Sequence, residues 1–337
     1  MIRTAIAALV DRRDLAEAEA AACMEQIMSG EATPAQLGAF LVALRMKGET
    51  VDEITGLARV MREKSLHVHV DGPLLDTCGT GGDTSGSFNV STAAAFVAAG
   101  AGARIAKHGN RAMTSECGSA DVLEALGAKI DLAPEGVAAC IERAGFGFMF
   151  AQAFHPAMKH VAPVRREIGV RTVFNILGPL TNPAGASAQV LGVADAALAE
   201  KLAGALVRLG AEHALVVHGE DGLDEVSVSA QTLVFDVHDG AVVTRTVSPE
   251  DAGLARHPVG AVRGGSPAEN AASLHAVLDG KPGALRDFTL INAAAALVAG
   301  GLAPDIREGV VLAAKSIDGG AARERLDAFV HASNEVG

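Results

Sequence analysis

Between Asp76 and Asn110 the chain reads DTCGTGGDTSGSFNVSTAAAFVAAGAGARIAKHGN, a stretch whose residue types suit the binding of an anion. Gly79, Gly81 and Gly82 precede Asp83. The apolar lead-in Pro73-Leu74-Leu75 predicts a short strand, and Asn89-Val90-Ser91-Thr92 opens an Ala-rich helix to about Gly100. A strand, a glycine turn and a helix start aim backbone N–H groups and a positive dipole end at one point. Side chains at the glycine positions would hold a phosphate away from that backbone. A second strand-like run, Ala103 to Ala106, ends in Lys107-His108-Gly109-Asn110-Arg111. It puts a cation and hydrogen-bonding groups at a strand's carboxyl end, where open α/β sheets bind ligands. A third element, GSADVLEALG (118–127), starts a helix with Ser119 as its expected cap.

The loop is neither of the two familiar phosphate motifs. It lacks the Gly-Lys-Ser/Thr ending of a P-loop, and no acidic ribose clamp follows at dinucleotide-binding distance. Alone it is weak evidence, because a glycine-rich surface turn also fits it. Three anion-friendly elements between residues 79 and 127 argue against that reading.

The elements that must position these groups fall into two parts. Residues 1–67 read as helices only, with expected starts at Asp14 (with Glu17), Thr33 (with Gln36) and Thr50 (with Glu53). Pro34 suits a first helical position, and Leu37, Phe40, Leu41 and Leu44 share one face. A hinge is expected at His67–Pro73. Beyond it strands near Ile105 and at 146–151, 189–194, 214–218, 232–237 and 241–246 alternate with helices at 88–100, 119–127, 134–144, 195–210, 266–279, 284–300 and 305–316. The expected fold class is α/β: a small all-helical N-terminal domain (1–70) and a large α/β domain (71–337) with a mostly parallel central sheet. The stretch His155–Thr181 reads as helical with a Gly-Pro break, and a segment of about 160–185 is expected to return to the helical domain.

Of the 337 residues 49% are hydrophobic and 20% charged, enough for a sizeable core. No long apolar run or charged-then-apolar leader suggests a membrane span or a secretory signal, so a cytoplasmic protein without membrane contact is expected. The net charge is −12, and Trp and Tyr are absent, which argues against a nucleic-acid platform. Cys23, Cys78, Cys117 and Cys140 form no C-x-x-C pair and read as small apolar residues in a reducing compartment; a nucleophilic Cys78 or Cys117 lacks an evident base.

Taken together, GTGGD (79–83), FNVST (88–92), KHGNR (107–111), HPAMKHVAPVRREIGVRTVFNILGPLTNP (155–183) and GLDEVS (222–227) closely resemble the anthranilate phosphoribosyltransferase family of tryptophan biosynthesis over nearly the whole chain. The resemblance implies a helical domain on an α/β domain, homodimers through the helical domain, and a reaction requiring Mg²⁺. That reaction moves phosphoribosyl from 5-phosphoribosyl-1-diphosphate (PRPP) to the anthranilate amine and releases diphosphate. Its transition state carries oxocarbenium character at ribose C1, so stabilising the departing charge should matter more than covalent chemistry.

By the same resemblance, Gly79, Gly82, Asp83, Ser87, Asn89, Val90, Ser91 and Thr92 bind PRPP from the glycine loop and helix start. Lys107, His108, Gly109, Asn110, Arg111, Ser115 and Ser119 complete that site. Asp224 and Glu225, with Ser91 assisting, hold the metal; adjacent carboxylates suit a hard cation that bridges to phosphates. Judged alone, Asp224-Glu225 is an ordinary solvated pair. Arg165 takes the anthranilate carboxylate through its guanidinium fork, with Gly79, His108, Asn110, His155 and Gly178 around the acceptor. His155 also fits as a simple helix-start residue before Pro156, and only one of Arg165 and Arg166 should face the pocket. No strong general base is evident. The rival readings are a pyrimidine nucleoside phosphorylase-like enzyme and a catalytically silent regulatory relative; Asn110 after Gly109, the acidic pair and an intact Lys107 favour the transferase. No fused amidotransferase domain is seen.

Overall fold

The computed structural model describes residues 1–83, 85–112 and 116–337. Four helices come first: α1 (Ile2–Val10), α2 (Glu17–Met28), α3 (Pro34–Lys47) and α4 (Val51–Glu63). Thr33 and Thr50 cap α3 and α4 as expected. Each hydroxyl accepts an N–H three residues on, and Gln36 or Glu53 returns the bond. The start expected at Asp14 is corrected. Leu15 is buried with its N–H on Glu53 at 2.9 Å, which keeps the chain out of the helix past Asp14. Helix α2 therefore begins at Glu17 behind Ala16, whose N–H donates to Glu19, while Asp14 accepts Lys47 Nζ at 2.6 Å.

The second part runs β1 (Leu75–Gly79), α5 (Val90–Gly100), β2 (Ile105–Gly109), α6 (Ser119–Ala125), α7 (Pro134–Ala144), β3 (Phe146–Phe150) and α8 (Ala151–Phe154). Short helices α9 (Ala162–Ile168) and α10 (Phe174–Leu177) follow. The chain then continues through β4 (Ala188–Gly192), α11 (Ala196–Arg208), β5 (His213–Gly219), β6 (Thr232–His238) and β7 (Ala241–Val247). It ends in α12 (Pro267–Leu278), α13 (Ala284–Ala299), α14 (Ile306–Asp318) and α15 (Ala321–Val336). The last of these lay outside the helices expected from sequence. It is formed by a stripe of buried Ala322, Leu326, Phe329 and Ala332. Two further details differ. Strand β2 runs on through Lys107 and His108, and Gly118 rather than Ser119 caps α6. The Asp121 carboxylate accepts the N–H groups of Gly118 and Ala112, both at 2.9 Å, so that helix start needs no hydroxyl.

One seven-stranded sheet has the order β3-β2-β1-β4-β5-β6-β7; β3 to β5 are parallel, and β6 and β7 fold back antiparallel. Strand order reverses between β1 and β4, paired from Leu75–Ala188 to Gly79–Gly192. The crevice at their carboxyl ends is where a doubly wound sheet takes a ligand. Side-chain alternation splits the sheet between two cores. Val190, Leu215 and Val217 face a core built on the almost fully buried α5 and α13. Leu191, Val216 and Phe235 face the other, which also holds α1 to α4 and Val161, Val164, Val173, Phe174 and Leu177 of the segment after His155. No helix among the described residues is long and apolar enough to cross a membrane.

Candidate active site

The glycine loop leaves β1 at Gly79 and is fixed first by its own backbone, Thr80 N–H donating to Gly192 O at 2.9 Å. Asp224 then enters from a chain segment 143 residues away, its Oδ2 accepting Gly81 N–H at 2.8 Å. Both strand ends must be glycine for this approach. A Cβ on Gly79 would lie 2.6 Å from Asp224 Oδ2, and one on Gly192 would collide with the Asp224 carbonyl. Gly82 has φ +93°, a left-handed conformation, and the Arg171 guanidinium rests where its Cβ would be. Asp83 accepts a hydrogen bond from Ser85.

The acidic pair is held by α13. Asn292, 3% exposed, accepts Val226 N–H and donates to Val226 O, both at 2.9 Å, so the backbone just after Asp224-Glu225 is gripped at two points. Burial, reinforced by Asp83, pushes the Asp224 carboxyl up to about 6. Burial and Asp224 push Glu225 well above the carboxylate range. No guanidinium or ammonium pairs with either carboxylate among the described residues. Two adjacent carboxylates, one buried and one half-buried, without an ion-pair partner suit a hard divalent cation. No cluster of three His, Cys, Asp or Glu able to hold a metal unaided occurs among the described residues. A cation here would therefore need hydroxyl, water or phosphate oxygens as well.

Helix α5 starts beside this loop. Asn89 stands at the cap and donates to Cys117 O at 3.1 Å, while its Oδ1, and the Thr92 hydroxyl, are buried with no hydrogen-bond partner among the described residues. Val90 is the first helical residue, and Ser87 lies in a bridge with Arg263. Lys107 is 1% exposed and does not project from the strand end. Its Nζ donates to the Thr77 carbonyl and to Ser91 Oγ at 3.2 Å. Burial pushes Lys107 down and Asp76, beside it, up to about 6; each opposes the other's shift.

On the far side of β2, His108 and His155 meet Nε2 to Nε2 at 3.3 Å. Burial and His155 lower His108 to about 3, and burial lowers His155 to about 4, so both rings are neutral at neutral pH. Arg165 is half-buried on α9, its guanidinium carbon 5.6 Å from the Phe174 ring centre, and burial lowers its pKa. No carboxylate lies within ion-pair distance of it among the described residues. Arg166 is exposed.

The remaining expected residues are placed as follows. Gly109 abuts the Ser119 hydroxyl, and the Asn110 carbonyl accepts Ala120 N–H at 3.2 Å and Ser119 Oγ at 3.4 Å. The Arg111 side chain is exposed and pairs with Glu124 and Asp121 of α6. Ser115 lies outside the described residues. Burial raises the Cys78 thiol well above its usual range and Cys117 to about 12, which leaves neither as a thiolate.

Besides Asn292, three contributors were not singled out from sequence. Asp76 is buried, accepting His108 N–H at 3.2 Å and Asn182 Nδ2 at 2.8 Å. Asn182 also donates to Ala106 O at 2.8 Å, and Arg171 donates to the carbonyls of Gly81 at 3.0 Å and Thr80 at 3.4 Å. Asn182 and Arg171 both sit inside the 155–183 motif, where their polar type amid apolar neighbours was the available signal.

Comparison with known proteins agrees with this geometry over nearly the whole chain. Family models match residues 3–65 (glycosyl transferase family, helical bundle domain) and 71–323 (glycosyl transferase family, a/b domain). The anthranilate phosphoribosyltransferase of Chloroflexus aurantiacus is 64% identical over 334 residues, 98% of each chain. The crystal structure of anthranilate phosphoribosyltransferase (TrpD) from Thermus thermophilus superposes with a TM-score of 0.93 at 47% identity, covering 98% of this chain and 99% of that one. The Saccharomyces cerevisiae enzyme in complex with PRPP and Mg gives 0.91 at 30% identity, covering 99% and 98%.

Proposed function

The chain belongs to the anthranilate phosphoribosyltransferase family, and we propose that it performs the transfer from PRPP to anthranilate with Mg²⁺ and with the residues named above. The observation that carries this reading is the Asp224–Gly81 contact, which sets an acidic pair against an anion-binding loop at the sheet's switch point. Gly79, Gly82 and the start of α5 bind and orient the diphosphate through backbone N–H groups and the helix dipole. The unpaired oxygens of Asn89 and Thr92 accept from the donor's hydroxyls. Lys107 holds the Ser91 hydroxyl in place and supplies positive charge beneath it.

Asp224 and Glu225, with Ser91, would hold Mg²⁺, in keeping with the Mg of the yeast complex. When bound, the ion neutralises charge on the departing diphosphate. Arg165 takes the anthranilate carboxylate bidentately from its place over the Phe174 ring. Neutral His108 and His155 flank the acceptor without competing for that carboxylate. The intact acidic pair, Lys107 and Arg165 weigh against both the phosphorylase-like and the silent regulatory readings.

Three coarser features belong with this proposal. The helical domain comprises residues 1–70 with a returning segment of about 160–185, supported by the core that α1 to α4 share with Val161 through Leu177. Exposed Val10, Val42 and Met46 on α1 and α3 support a homodimer through that domain, testable by light scattering. Four free cysteines fit a reducing cytoplasm.

The test is direct. Protein, anthranilate, PRPP and Mg²⁺ should consume anthranilate fluorescence, against a background free of Trp and Tyr. No consumption would overturn the assignment.

A further inference from the structure

The glycine loop is gripped from the side opposite Asp224. Arg171 lies between α9 and α10 and donates through Nη2 to Gly81 O at 3.0 Å and Thr80 O at 3.4 Å. Its guanidinium also covers the open face of Gly82. The Gly81 residue is thus held at both ends, its N–H by Asp224 and its carbonyl by Arg171. Arg171 thereby engages both peptide planes beside Gly81, through the Thr80 and Gly81 carbonyls, while Asp224 holds only the first of them. Gly81 and Gly82, with φ of +62° and +93°, would otherwise sample many orientations.

The backbone that carries Arg171 is anchored elsewhere. Gly169 ends α9 in a left-handed turn, Thr172 N–H donates to Asn175 at 2.9 Å, and Val173 and Phe174 are buried in the core shared with α1 to α4. An exposed arginine on a buried anchor therefore connects the helical part of the molecule to the anion loop. The connection also closes one wall of a cavity of about 390 Å³ whose other cations are Arg45 of α3 and Lys201 of α11. No carboxylate lies within ion-pair distance of Arg171 among the described residues, so its fork is committed to the loop carbonyls.

We propose that Arg171 is a positioning residue for the donor's diphosphate: from its anchor in the helical core it holds the Thr80 and Gly81 carbonyls back, so that the Gly82 N–H, on the opposite edge of the Gly81–Gly82 peptide, points at the anion. A dipole turned the wrong way at a phosphate site repels the ligand it should bind, so the orientation of these peptides sets donor affinity directly. The acceptor residues Arg165 and His155 do not contact this loop. The inference rests on the transferase reading, and its test is chosen to separate the two.

Arg171→Ala and Arg171→Lys are compared with the unaltered protein in steady-state kinetics for both substrates. Calorimetric binding of inorganic diphosphate with Mg²⁺ adds a readout independent of turnover. Arg171→Ala should raise the PRPP KM and the diphosphate Kd together by about tenfold or more, the scale of a lost charged hydrogen bond, and leave the anthranilate KM within about twofold. Its melting temperature should stay within about 2 °C, because an exposed guanidinium contributes little to packing. Arg171→Lys keeps one donor and the charge without the fork, and should recover only part of the affinity. An unchanged diphosphate Kd in Arg171→Ala overturns the inference. So does an equal rise of both KM values with a lowered melting temperature, the signature of a purely structural role. An inactive unaltered protein would instead sink the transferase reading, while the diphosphate measurement would still decide the role of Arg171.

Discussion

Gly81 and Asp224 are 143 residues apart in the chain, and the N–H of the first donates to the carboxylate of the second at 2.8 Å. A buried carboxylate on a loop N–H occupies the kind of position a phosphate oxygen takes at such a loop. Metal and donor would therefore compete for, and rearrange, one small set of contacts.

Removing both acids tests this. Asp224→Ala with Glu225→Ala should lower turnover by at least about a hundredfold, more than outer-sphere changes around a metal cost, and should flatten the Mg²⁺ titration. The same variant should melt close to the unaltered protein, because the relief of losing a buried and a half-buried carboxylate without ionic partners offsets the lost hydrogen bond to Gly81. Unaltered turnover with the same Mg²⁺ response would reduce the pair to ordinary surface charges.

Arg165 should govern the acceptor alone. Its half-buried guanidinium has the Phe174 ring as a neighbour and no carboxylate within the described residues, a cation left for a ligand. Arg165→Ala should raise the anthranilate KM by about ten- to a hundredfold, with PRPP binding nearly intact. Equal losses for both substrates would contradict the division between acceptor and donor sites.

The His108–His155 pair predicts a stability profile. Their folded pKa values, about 3 and about 4, lie below the 6.5 of an unfolded histidine. Between those limits the unfolded chain binds more protons, so stability rises with pH. The contribution is complete above about pH 6.5 and is lost as pH falls through the window toward 3. Between about pH 7.5 and pH 5 the loss should be on the order of 2 kcal/mol per ring, about 4 kcal/mol for the pair, read as a falling urea midpoint. A His108→Asn, His155→Asn variant should show a flatter profile; an equally steep one would mean that other groups carry the dependence.

How far the sequence reveals this site depends on the range of the interaction concerned. The glycine loop, the α5 start and the Thr33 and Thr50 caps are local patterns, and each appears where its spacing predicts. Asp14 failed as a cap because its alternatives were distant in sequence, Leu15 reaching Glu53 and Asp14 reaching Lys47. The sequence puts Lys107 at a strand's carboxyl end, just after Ala106; the strand continues to Gly109 and the ammonium turns inward to Thr77 and Ser91. The ion pairs of Arg111 with Glu124 and Asp121 are likewise invisible in the KHGNR spacing, because α6 supplies both carboxylates. Asp76, Arg171 and Asn182 act through backbone groups of other segments, so no spacing within the chain announces them.

Asn292 is the clearest such case and gives the last prediction. Its side chain, 3% exposed on α13, accepts Val226 N–H and donates to Val226 O and Phe288 O, all at 2.9 Å. One amide thus supplies both hydrogen bonds of the residue that follows Glu225. Asn292→Leu would leave the Val226 N–H and C=O buried without partners, at about 1–3 kcal/mol each. Asn292→Asp keeps the volume and an acceptor but loses the donor to Val226 O. Both variants should be destabilised, the leucine more. At temperatures where each remains folded, both should need more Mg²⁺ for half-maximal activity, because the acidic pair is no longer fixed against Gly81. Circular dichroism establishes the folded fraction, and a Mg²⁺ titration of that fraction then reads the positioning effect apart from stability. A folded Asn292→Asp enzyme with the unaltered Mg²⁺ midpoint and turnover would show that the loop keeps its acids in place without α13.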